Sequence, residues 1–298
     1  MGEKNYGKSV RAKLLNISKA EKLGYQLIVI RYIQERLLYR LSQSRFREKL
    51  FLKGGALLYA LEQFRARPTL DIDFLGDKIS RDKEFVKMAF EEICAVSCPE
   101  DGMTFDTESI SAEEITVNKE YHGIRLHVTA RLDTIRQVIS MDIGFGDVIT
   151  PKPEELDYPV LLKETPAVNI MAYSLETVVA EKFQAMIDLA EENSRMKDFF
   201  DVYRILESNK VNEEMLQQAI TATFSNRETG YKPDHILFAE EFVKSPTRIA
   251  FWKGFLRKIK YTEELSFETV MTVIKERLQG YWENFTTVQR NFLRHDLN

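Results

Sequence analysis

Two glycines and two aspartates, placed close together along the chain, are the residues whose types and spacing best suit chemistry. Gly54 and Gly55 precede an apolar run, and fifteen residues separate Gly55 from Asp71. Glycines that open a helix let backbone N–H groups approach an anion at the positive end of the helix dipole. The sequence therefore predicts a phosphate-binding turn directly after Lys53.

The aspartates, Asp71 and Asp73, alternate with Ile72 and Phe74 in a pattern typical of a strand. Residues i and i+2 of a strand share one face, so the two carboxylates point together. They repel each other unless a divalent cation lies between them, and Mg²⁺ suits one or two carboxylates plus substrate phosphate oxygens. A Gly-Gly pair alone is commonly an ordinary turn, and Asp-x-Asp alone a solvated strand end. Their order along the chain favours nucleotide chemistry.

A third acid, Asp142, lies in a predicted strand between the apolar residues Met141 and Ile143. Burying an unpaired charge costs several kcal/mol, so we expect this carboxylate to have a partner. Next to a metal-bound pair it could be a ligand, or the base that takes a proton from an attacking hydroxyl. The alternative is an acid at a strand end before a glycine-rich turn.

Lys182, Asp198 and Asp201 form a second charged set, on predicted helices. Lys182 borders an apolar stripe, where a lysine either extends to solvent or points its ammonium into a cleft. Asp198 and Asp201 are three residues apart and share one helix face, which could be an ordinary solvated face. Together the three residues could hold a triphosphate.

The composition limits the class of protein. A chain of 298 residues and 34.8 kDa accommodates roughly two domains. No apolar run approaches the ~20 residues that span a bilayer, and the first residues lack the apolar core of a signal peptide. We therefore expect a soluble, cytoplasmic protein without a membrane segment. Cys94 and Cys98 are predicted to be free thiols, because a structural zinc site needs about four ligands.

The net charge of −4 is distributed unevenly. Residues 1 to 53 carry thirteen Lys and Arg against four Glu, which gives +9 there and leaves −13 for the rest of the chain. Ser18 is predicted to cap a helix in this segment. A basic segment on an acidic body suits a polyanion, and we expect Arg36, Arg40 and Arg47 to dock RNA. The alternative is a solvated helix face that is basic for no functional reason.

The remaining pattern predicts an α+β domain followed by a helical one. Ser80 is predicted to cap a helix with Met88 on its apolar face, and alternation between 104 and 147 predicts an antiparallel meander. A cluster of prolines, which break helices and strand ladders, marks the boundary between a domain at 1–165 and a helical domain at 166–298. These prolines are Pro151, Pro153, Pro159 and Pro166.

Six blocks of sequence resemble the AbiEii/AbiGii group of nucleotidyltransferase toxins, known from phage abortive infection and allied to bacterial toxins that modify tRNA ends. The resemblance covers most of the chain. It implies a DNA polymerase β-like nucleotidyltransferase domain, with a mixed or antiparallel sheet and flanking helices, before an all-helical domain. The chain departs from the superfamily at Gly55, where others use Ser, and in the longer spacing to Asp71. The blocks are Leu52–Leu58, Arg67–Phe74, Tyr121–Arg125, Asp142–Asp147, Glu181–Ala185 and Lys197–Asp201.

The resemblance also implies a reaction and roles in it. A hydroxyl would attack the α-phosphate of an NTP, with loss of pyrophosphate and with Mg²⁺ assisting. Thr69, where relatives often have Ser, would be a self-modification site. The implied metal site is Asp71 and Asp73, with Asp142 as the third acid. Lys182 would contact the phosphates, supported by Asp198 or Asp201, and the nucleotide-binding residues would include Lys53, Gly54, Gly55, Arg67 and Thr69.

The implied acceptor is RNA, at the 3′ end of tRNA, and the implied partner is an antitoxin encoded nearby, which need not touch the toxin. Two other classes stay open at this point. One is a nucleotidyltransferase that modifies a protein or a small molecule, which has no need of a basic amino-terminal segment. The other is a non-catalytic nucleotide- or RNA-binding regulator of the same fold, and the presence of all three acids argues against it.

Overall fold

The computed structural model of the chain describes residues 5–118 and 121–295. Side chains are described within these ranges except at 116–122 and 286–295. Lys4, counted above in the basic segment, lies outside the described residues.

The chain folds into two compact units. The first runs to Gly146 and includes Pro153–Tyr173, and the second comprises Asp147–Lys152 and the chain from Ser174. The first unit therefore continues past the boundary predicted at 165/166, because its last strand follows that position.

The first unit is a seven-stranded sheet with flanking helices. Its helices are α1 (Tyr6–Ala20), α2 (Tyr25–Ser42), α3 (Gly54–Glu62) and α4 (Lys83–Cys94). Its strands are β1 (Leu50–Lys53), β2 (Asp71–Gly76), β3 (Met103–Asn118), β4 (Tyr121–Leu132), β5 (Ile135–Phe145), β6 (Glu154–Tyr158) and β7 (Val168–Ala172). The strand order is β3-β4-β5-β2-β1-β7-β6, with β1–β7 and β2–β5 parallel and the other neighbours antiparallel. The predicted α+β class with a mixed sheet is confirmed.

The antiparallel meander predicted between 104 and 147 corresponds to β3, β4 and β5. The strands β6 and β7, in contrast, lie in the proline-rich stretch where the sequence predicted only a boundary. Pro153 and Pro159 lie directly outside the two ends of β6, which is an edge strand, and proline is tolerated at such places. The prolines therefore limit the length of β6 and do not end the domain.

Two predicted helix caps are wrong. Ser18 lies inside α1, and α2 begins after Gly24. α4 is capped by Asp82, whose carboxylate accepts a backbone N–H of the first turn at 2.8 Å, while Ser80 lies ahead of the cap. An aspartate at this place also complements the helix dipole, which a serine does not. Met88 is 40% exposed and does not join the apolar face of α4.

α2 is buried on almost all sides although it carries several arginines. Arg36 is fully buried, donates to the Pro166 carbonyl at 3.1 Å and pairs with Glu35 at 2.7 Å. Arg40 is equally buried and pairs at 2.7 Å with Asp101, which is 0% exposed. The prediction that Arg36 and Arg40 dock RNA is wrong, because both guanidinium groups are enclosed by the protein.

Four other cations of the basic segment are paired with acids as well. The predicted RNA contact Arg47 donates to the Asn169 carbonyl and pairs with Glu155, each at 3.2 Å. Ion pairs are also formed by Arg11 with Asp133, Lys13 with Glu164, and Arg45 with Glu92. Lys8, Lys19 and Lys22 are exposed. Five acids from elsewhere in the first unit thus offset about half of the charge of +9 counted along the sequence.

The second unit is helical, as predicted, and its first helix begins at Leu175. Its core is aromatic and includes Phe183, Phe199 and Trp252. In the part of the chain that the structure describes, no helix is both long and apolar enough to cross a membrane. The helices are α5 (Leu175–Leu189), α6 (Met196–Glu207), α7 (Glu213–Asn226), α8 (Glu240–Lys244), α9 (Pro246–Ile259) and α10 (Phe267–His295).

The two cysteines belong to the first unit. Cys94 ends α4 and Cys98 follows it, and both are buried free thiols. Burial raises the pKa of both thiols above the ordinary value, to about 12 for Cys94 and about 11 for Cys98. Both therefore stay protonated at neutral pH, and the prediction of free thiols is confirmed.

Candidate active site

Four charged residues cross one face of the sheet in register. Asp73 on β2 is paired with Lys53 on β1 and with Asp142 on β5. Arg125 on β4 is paired in turn with Asp142. Directly paired residues share a face of the sheet, so the charges across the four strands run positive, negative, negative, positive. Asp71, two residues before Asp73, lies on the same face.

The opposite face of β2 fixes this arrangement. Ile72 and Phe74 are buried, and the Phe74 ring centroid lies 6.2 Å from that of Phe90 on α4. Because alternate residues of a strand point to opposite faces, this packing holds Asp71 and Asp73 away from α4. Asp71 is exposed and Asp73 is half-buried. The shared face predicted for the two aspartates is present.

Both positions of the turn require glycine, because side chains from elsewhere in the first unit approach the backbone closely. Gly54 has a φ of +68°, in the left-handed region that favours glycine. A Cβ at Gly54 would lie 2.0 Å from Oδ2 of Asp73, and one at Gly55 would lie 2.8 Å from Oγ1 of Thr69. The turn backbone therefore contacts Asp73 directly, and Thr69 fills the space that a side chain at position 55 would need.

The turn opens α3 with its first N–H groups uncapped by any side chain. Such groups have no acceptor within the helix and, together with the dipole, favour an anion. Lys53 is the residue before the helix, and its Nζ lies 3.5 Å from the Tyr173 hydroxyl. Backbone donors and one ammonium are thus placed beside Asp73, as a phosphate-binding turn requires.

Asp142 has the partner that its apolar surroundings predict, and the partner is Arg125. The guanidinium binds both carboxylate oxygens, with Nε to Oδ1 at 2.8 Å and Nη2 to Oδ2 at 2.7 Å. Hydrogen bonding to Asp142 raises the pKa of Arg125 above its ordinary value, and the charge of Asp71 adds to the effect. The pair is partly accessible, with side chains 37% and 21% exposed.

The donor set suits magnesium at two carboxylates. Asp71 and Asp73 provide the one or two acidic ligands that Mg²⁺ commonly takes, and nucleotide phosphates and water would complete the coordination. Within residues 5–118 and 121–295, no three His, Cys, Asp or Glu side chains converge as a metal site. Asp142 is in register with Asp73 but is bound by Arg125, so the predicted three-carboxylate cluster is not formed in this arrangement.

The second charged set lies in the helical unit, and its three members meet there. Lys182 on α5 pairs with Asp198 at 2.6 Å and with Asp201 at 2.9 Å, both on α6. Arg195 binds the other oxygen of Asp198 at 2.6 Å. The acids are 1% and 2% exposed, whereas the Lys182 side chain is 13% exposed. The alternative of a solvated acidic face is therefore wrong.

The cations around Asp198 keep its carboxyl group ionised. Burial opposes ionisation of Asp198, but attraction to Lys182 and Arg195 outweighs it and lowers the pKa of the carboxyl below its ordinary value. The two buried carboxylates in turn hold Nζ of Lys182 in one position. Lys182 is therefore a fixed cation at the border of a core, and it does not extend freely into solvent.

The segment leading into β2 carries the remaining predicted residues. Thr69 donates from Oγ1 to the Asp71 carbonyl at 3.3 Å, and Arg67 is partly exposed. Thr69 thus contacts both the backbone of the first aspartate and the second glycine of the turn.

Sequence reasoning missed the two arginines that bind predicted acids, Arg125 and Arg195. Arg125 alternates with the buried Ile124 and Leu126, so its place on the polar face of β4 was readable. Arg195 stands three residues before Asp198, a spacing at which helical side chains meet. What the sequence alone does not show is the register that places Arg125 opposite Asp142.

Comparisons with known proteins found one family and two solved structures that are similar to the chain. The family described as "Nucleotidyl transferase AbiEii toxin, Type IV TA system" matches residues 36–273. The crystal structure of JHP933 from Helicobacter pylori has a TM-score of 0.51 at 12% identity, covering 92% of this chain and 99% of that chain. A crystal structure of a "putative nucleotidyltransferase from H. pylori" has a TM-score of 0.48 at 14% identity, covering 89% and 99%. No curated protein matches the chain.

The similarity to JHP933, at 12% identity, supports only the assignment of the fold. The family match spans well over half of the chain and contains the glycine turn, the three acids of the sheet and the Lys182 cluster. Membership implies an NTP substrate and an antitoxin counterpart. The protein is a nucleotidyltransferase, and its chain belongs to the AbiEii family of nucleotidyl transferase toxins of type IV toxin–antitoxin systems.

Proposed function

We propose that this protein transfers a nucleoside monophosphate from an NTP to the 3′ end of tRNA, with Mg²⁺, as the toxin of a system that acts in phage defence. The observation that carries the proposal is the contact of the turn at Gly54 with Asp73. This contact supports the proposal because it would bring an anion site and a cation site together on one face of the sheet, as a metal–triphosphate complex requires.

The carboxylates of Asp71 and Asp73 would hold the metal, and the backbone donors of Gly54 and Gly55 with the Lys53 ammonium would bind phosphate oxygens. Bound Mg²⁺ would neutralise the charge that develops on the transferred phosphoryl group. The protein groups then serve mainly to position the α-phosphate in line with the attacking hydroxyl, because phosphoryl transfer needs positioning more than covalent chemistry.

Asp142 is proposed as the third acid of the site. It would become available when Arg125 leaves it to bind a phosphate of the nucleotide. Both oxygens of Asp142 are bound by the guanidinium, so the carboxylate can take a proton or a metal only after Arg125 releases it. A triphosphate is a competing anion with matching geometry for a guanidinium. Nucleotide binding would therefore free Asp142 at the moment when the acid is needed.

Lys182 is proposed to contact the nucleotide phosphates, held in place by Asp198 and Asp201. Its support is the partial exposure of a charged ammonium whose acid partners are themselves buried. Arg67 is proposed to assist in nucleotide binding, since it precedes the strand that carries both metal-binding acids.

Thr69 is proposed to replace the serine that other superfamily members carry in the turn. Its hydroxyl lies 2.8 Å from the place of a Cβ at Gly55, so it stands beside the turn that lacks a side chain of its own. The same hydroxyl is the proposed site of self-modification. Mass spectrometry after incubation with NTP should locate an added nucleotide on Thr69, and Thr69→Val should remove it.

The proposal is tested by incubating the protein with each labelled NTP, Mg²⁺ and total tRNA. The expected result is labelled tRNA, and no labelling of tRNA when EDTA is present in the reaction. Label only in protein or in a small molecule would replace the tRNA proposal with one of the alternative acceptors.

Asp71→Asn keeps the shape of the side chain and removes the charge that holds the metal. Transfer should fall on the order of 10²-fold or more, because the metal stabilises the transition state by several kcal/mol. Asp106→Asn, on β3, is the matched control and should transfer normally. Near-normal transfer by Asp71→Asn would contradict the assignment of the site.

A further inference from the structure

α9 carries cations that its own unit does not neutralise. Lys253, Arg257 and Lys258 lie on this helix, Lys260 directly follows it, and all four are exposed. Across the described residues none of these side chains takes part in an ion pair. The sequence from 246 to 262 contains no Asp or Glu, so no acid of the same stretch offsets them.

The cations of α9 and one aromatic ring border the exposed side of the helix as two pairs. Lys253 and Arg257 are four residues apart and adjacent on the helix surface. Phe251 and Lys258 are seven apart and lie nearly in line along the axis, roughly 100–160° around the helix from the first pair. Phe251 is 49% exposed. The exposed side of α9 is therefore basic along one border, and basic with an aromatic ring along the other.

The opposite side of α9 is committed to the protein core. Trp252 is 1% exposed, and its Nε1 donates to the Leu265 carbonyl at 2.8 Å. Its ring lies 5.7 Å from that of Phe267 and 6.3 Å from that of Phe200. A helix that lies in a membrane surface needs its apolar side free to enter the lipid. Because this side is already packed, an anionic lipid surface is the weaker match.

The helix dipole explains part of the pattern only. Arg257 and Lys258 lie in the last turn and Lys260 follows it, where cations complement the negative end of the dipole. Lys253 is a full turn earlier, beyond the reach of this effect, and the dipole gives no reason for Phe251 to be exposed.

We propose that α9 docks the RNA acceptor, with Lys253, Arg257 and Lys258 on backbone phosphates and Phe251 stacked on an unpaired base. Basic grooves with interleaved aromatic rings bind single-stranded nucleic acid in this way. On a chain of net charge −4, a face of unneutralised cations is where a polyanion would approach. The inference rests on the proposed function in one respect, that the acceptor is RNA.

The test compares two variants that remove equal charge. Lys253→Gln/Arg257→Gln/Lys258→Gln removes three cations from α9. Its matched control, Lys8→Gln/Lys19→Gln/Lys22→Gln, removes three exposed cations from the first unit. Affinity for labelled tRNA is measured by fluorescence anisotropy at roughly 50 to 300 mM KCl. In this range, the release of counterions from RNA sets how the affinity depends on salt.

The α9 variant should bind tRNA about 10-fold or more weakly, and the slope of log K against log salt should fall by about 2 to 3. The control should keep wild-type affinity and slope. Both variants should bind NTP normally and keep the wild-type melting temperature, which shows that they are folded. Phe251→Ala should weaken binding to a single-stranded 3′-end oligonucleotide more than binding to a duplex.

Equal losses in the two triple variants would overturn the proposal, since total charge and not α9 would then set affinity. Unchanged tRNA binding by the α9 variant would also overturn it. So would α9-dependent binding to phosphatidylserine vesicles without any effect on tRNA. If tRNA binding depends on α9 but no NTP labels tRNA, docking stands and the proposed transfer to tRNA fails.

Discussion

The arginines of the amino-terminal segment and the basic residues of α9 are used in opposite ways. In the amino-terminal segment, Arg36 and Arg40 are buried against acids and carbonyls of the first unit, and Arg11, Arg45 and Arg47 also form ion pairs. On α9, Lys253, Arg257 and Lys258 are exposed and carry no ion pair in the described structure. Charge counted along a sequence therefore does not locate a surface for a polyanion. What matters is the charge left after internal pairing.

The difference also separates two physical roles of a cation. A buried arginine has lost its hydration, and only well-placed hydrogen bonds make its burial tolerable. Removing it leaves a buried carboxylate without a partner, so the change appears as a loss of stability. An exposed cation has kept its hydration, and its removal appears mainly in the binding of something else.

The strongest test of this contrast is Arg40→Gln. The substitution leaves Asp101, which is 0% exposed, without its cation. We expect the free energy of unfolding, measured by urea denaturation, to fall by about 3–5 kcal/mol. Arg45→Gln is the control, because its pair with Glu92 is exposed, and it should cost no more than about 1 kcal/mol. Equal effects of the two would remove the distinction drawn between buried and exposed pairs.

Lys182→Met tests a cation that is expected both to stabilise the fold and to bind a ligand. It leaves Asp198 and Asp201 buried without the lysine, so we expect a loss of stability of about 3 kcal/mol, in addition to weaker NTP binding. Adding Asp198→Asn and Asp201→Asn should restore much of the stability and none of the NTP affinity. If Lys182→Met melts like the wild type, the ion pairs are not important for the fold.

The same cluster has a pH dependence of defined sign. The pKa of Asp198 is lower in the folded protein than its ordinary value, so its contribution to stability is present above that ordinary value and is lost as the pH falls through the folded pKa. Asp198→Asn should therefore flatten the acid side of the stability profile, measured by thermal melting between about pH 2 and 6. An unchanged acid side would show that Asp198 is not ionised in the folded protein.

Arg125 is intermediate between the buried arginines and the exposed cations of α9, since it is paired but 37% exposed. Arg125→Gln frees both oxygens of Asp142, so the affinity of the nucleotide-free protein for Mn²⁺, measured by calorimetry, should rise about 10-fold, or about 1.4 kcal/mol. Arg131→Gln removes a cation from the same strand, where it pairs with Asp106, and should change nothing. Unchanged Mn²⁺ affinity in Arg125→Gln would mean that the arginine does not compete with a metal for Asp142.

The smallest effect on stability is expected on α9. Lys253→Gln should change the free energy of unfolding by less than about 0.5 kcal/mol, at low and at high salt, because no partner is lost. A larger change would mean that this lysine belongs with the structural cations of α2, and the contrast between the regions would fail.

Much of the site was readable from the sequence because it depends on local rules. The strand alternation around Asp71 and Asp73 and the glycines of the turn follow from short-range geometry. The burial of Arg36 was partly readable too: α2 carries apolar residues on all sides, which is typical of a buried helix. The pairing of Arg125 with Asp142 was not, because it depends on which strands become neighbours and in which register.

The contact between Gly54 and Asp73 has a consequence for the genetics of this toxin. A single added methyl group at Gly54 would meet Asp73 Oδ2 at 2.0 Å, so it must displace the acid or distort the turn. Spontaneous mutants that survive expression of the toxin should therefore include replacements of Gly54 by residues as small as alanine, with full-length protein still made. Sequencing such survivors would show whether this glycine is one of the positions at which a single substitution most readily inactivates the toxin.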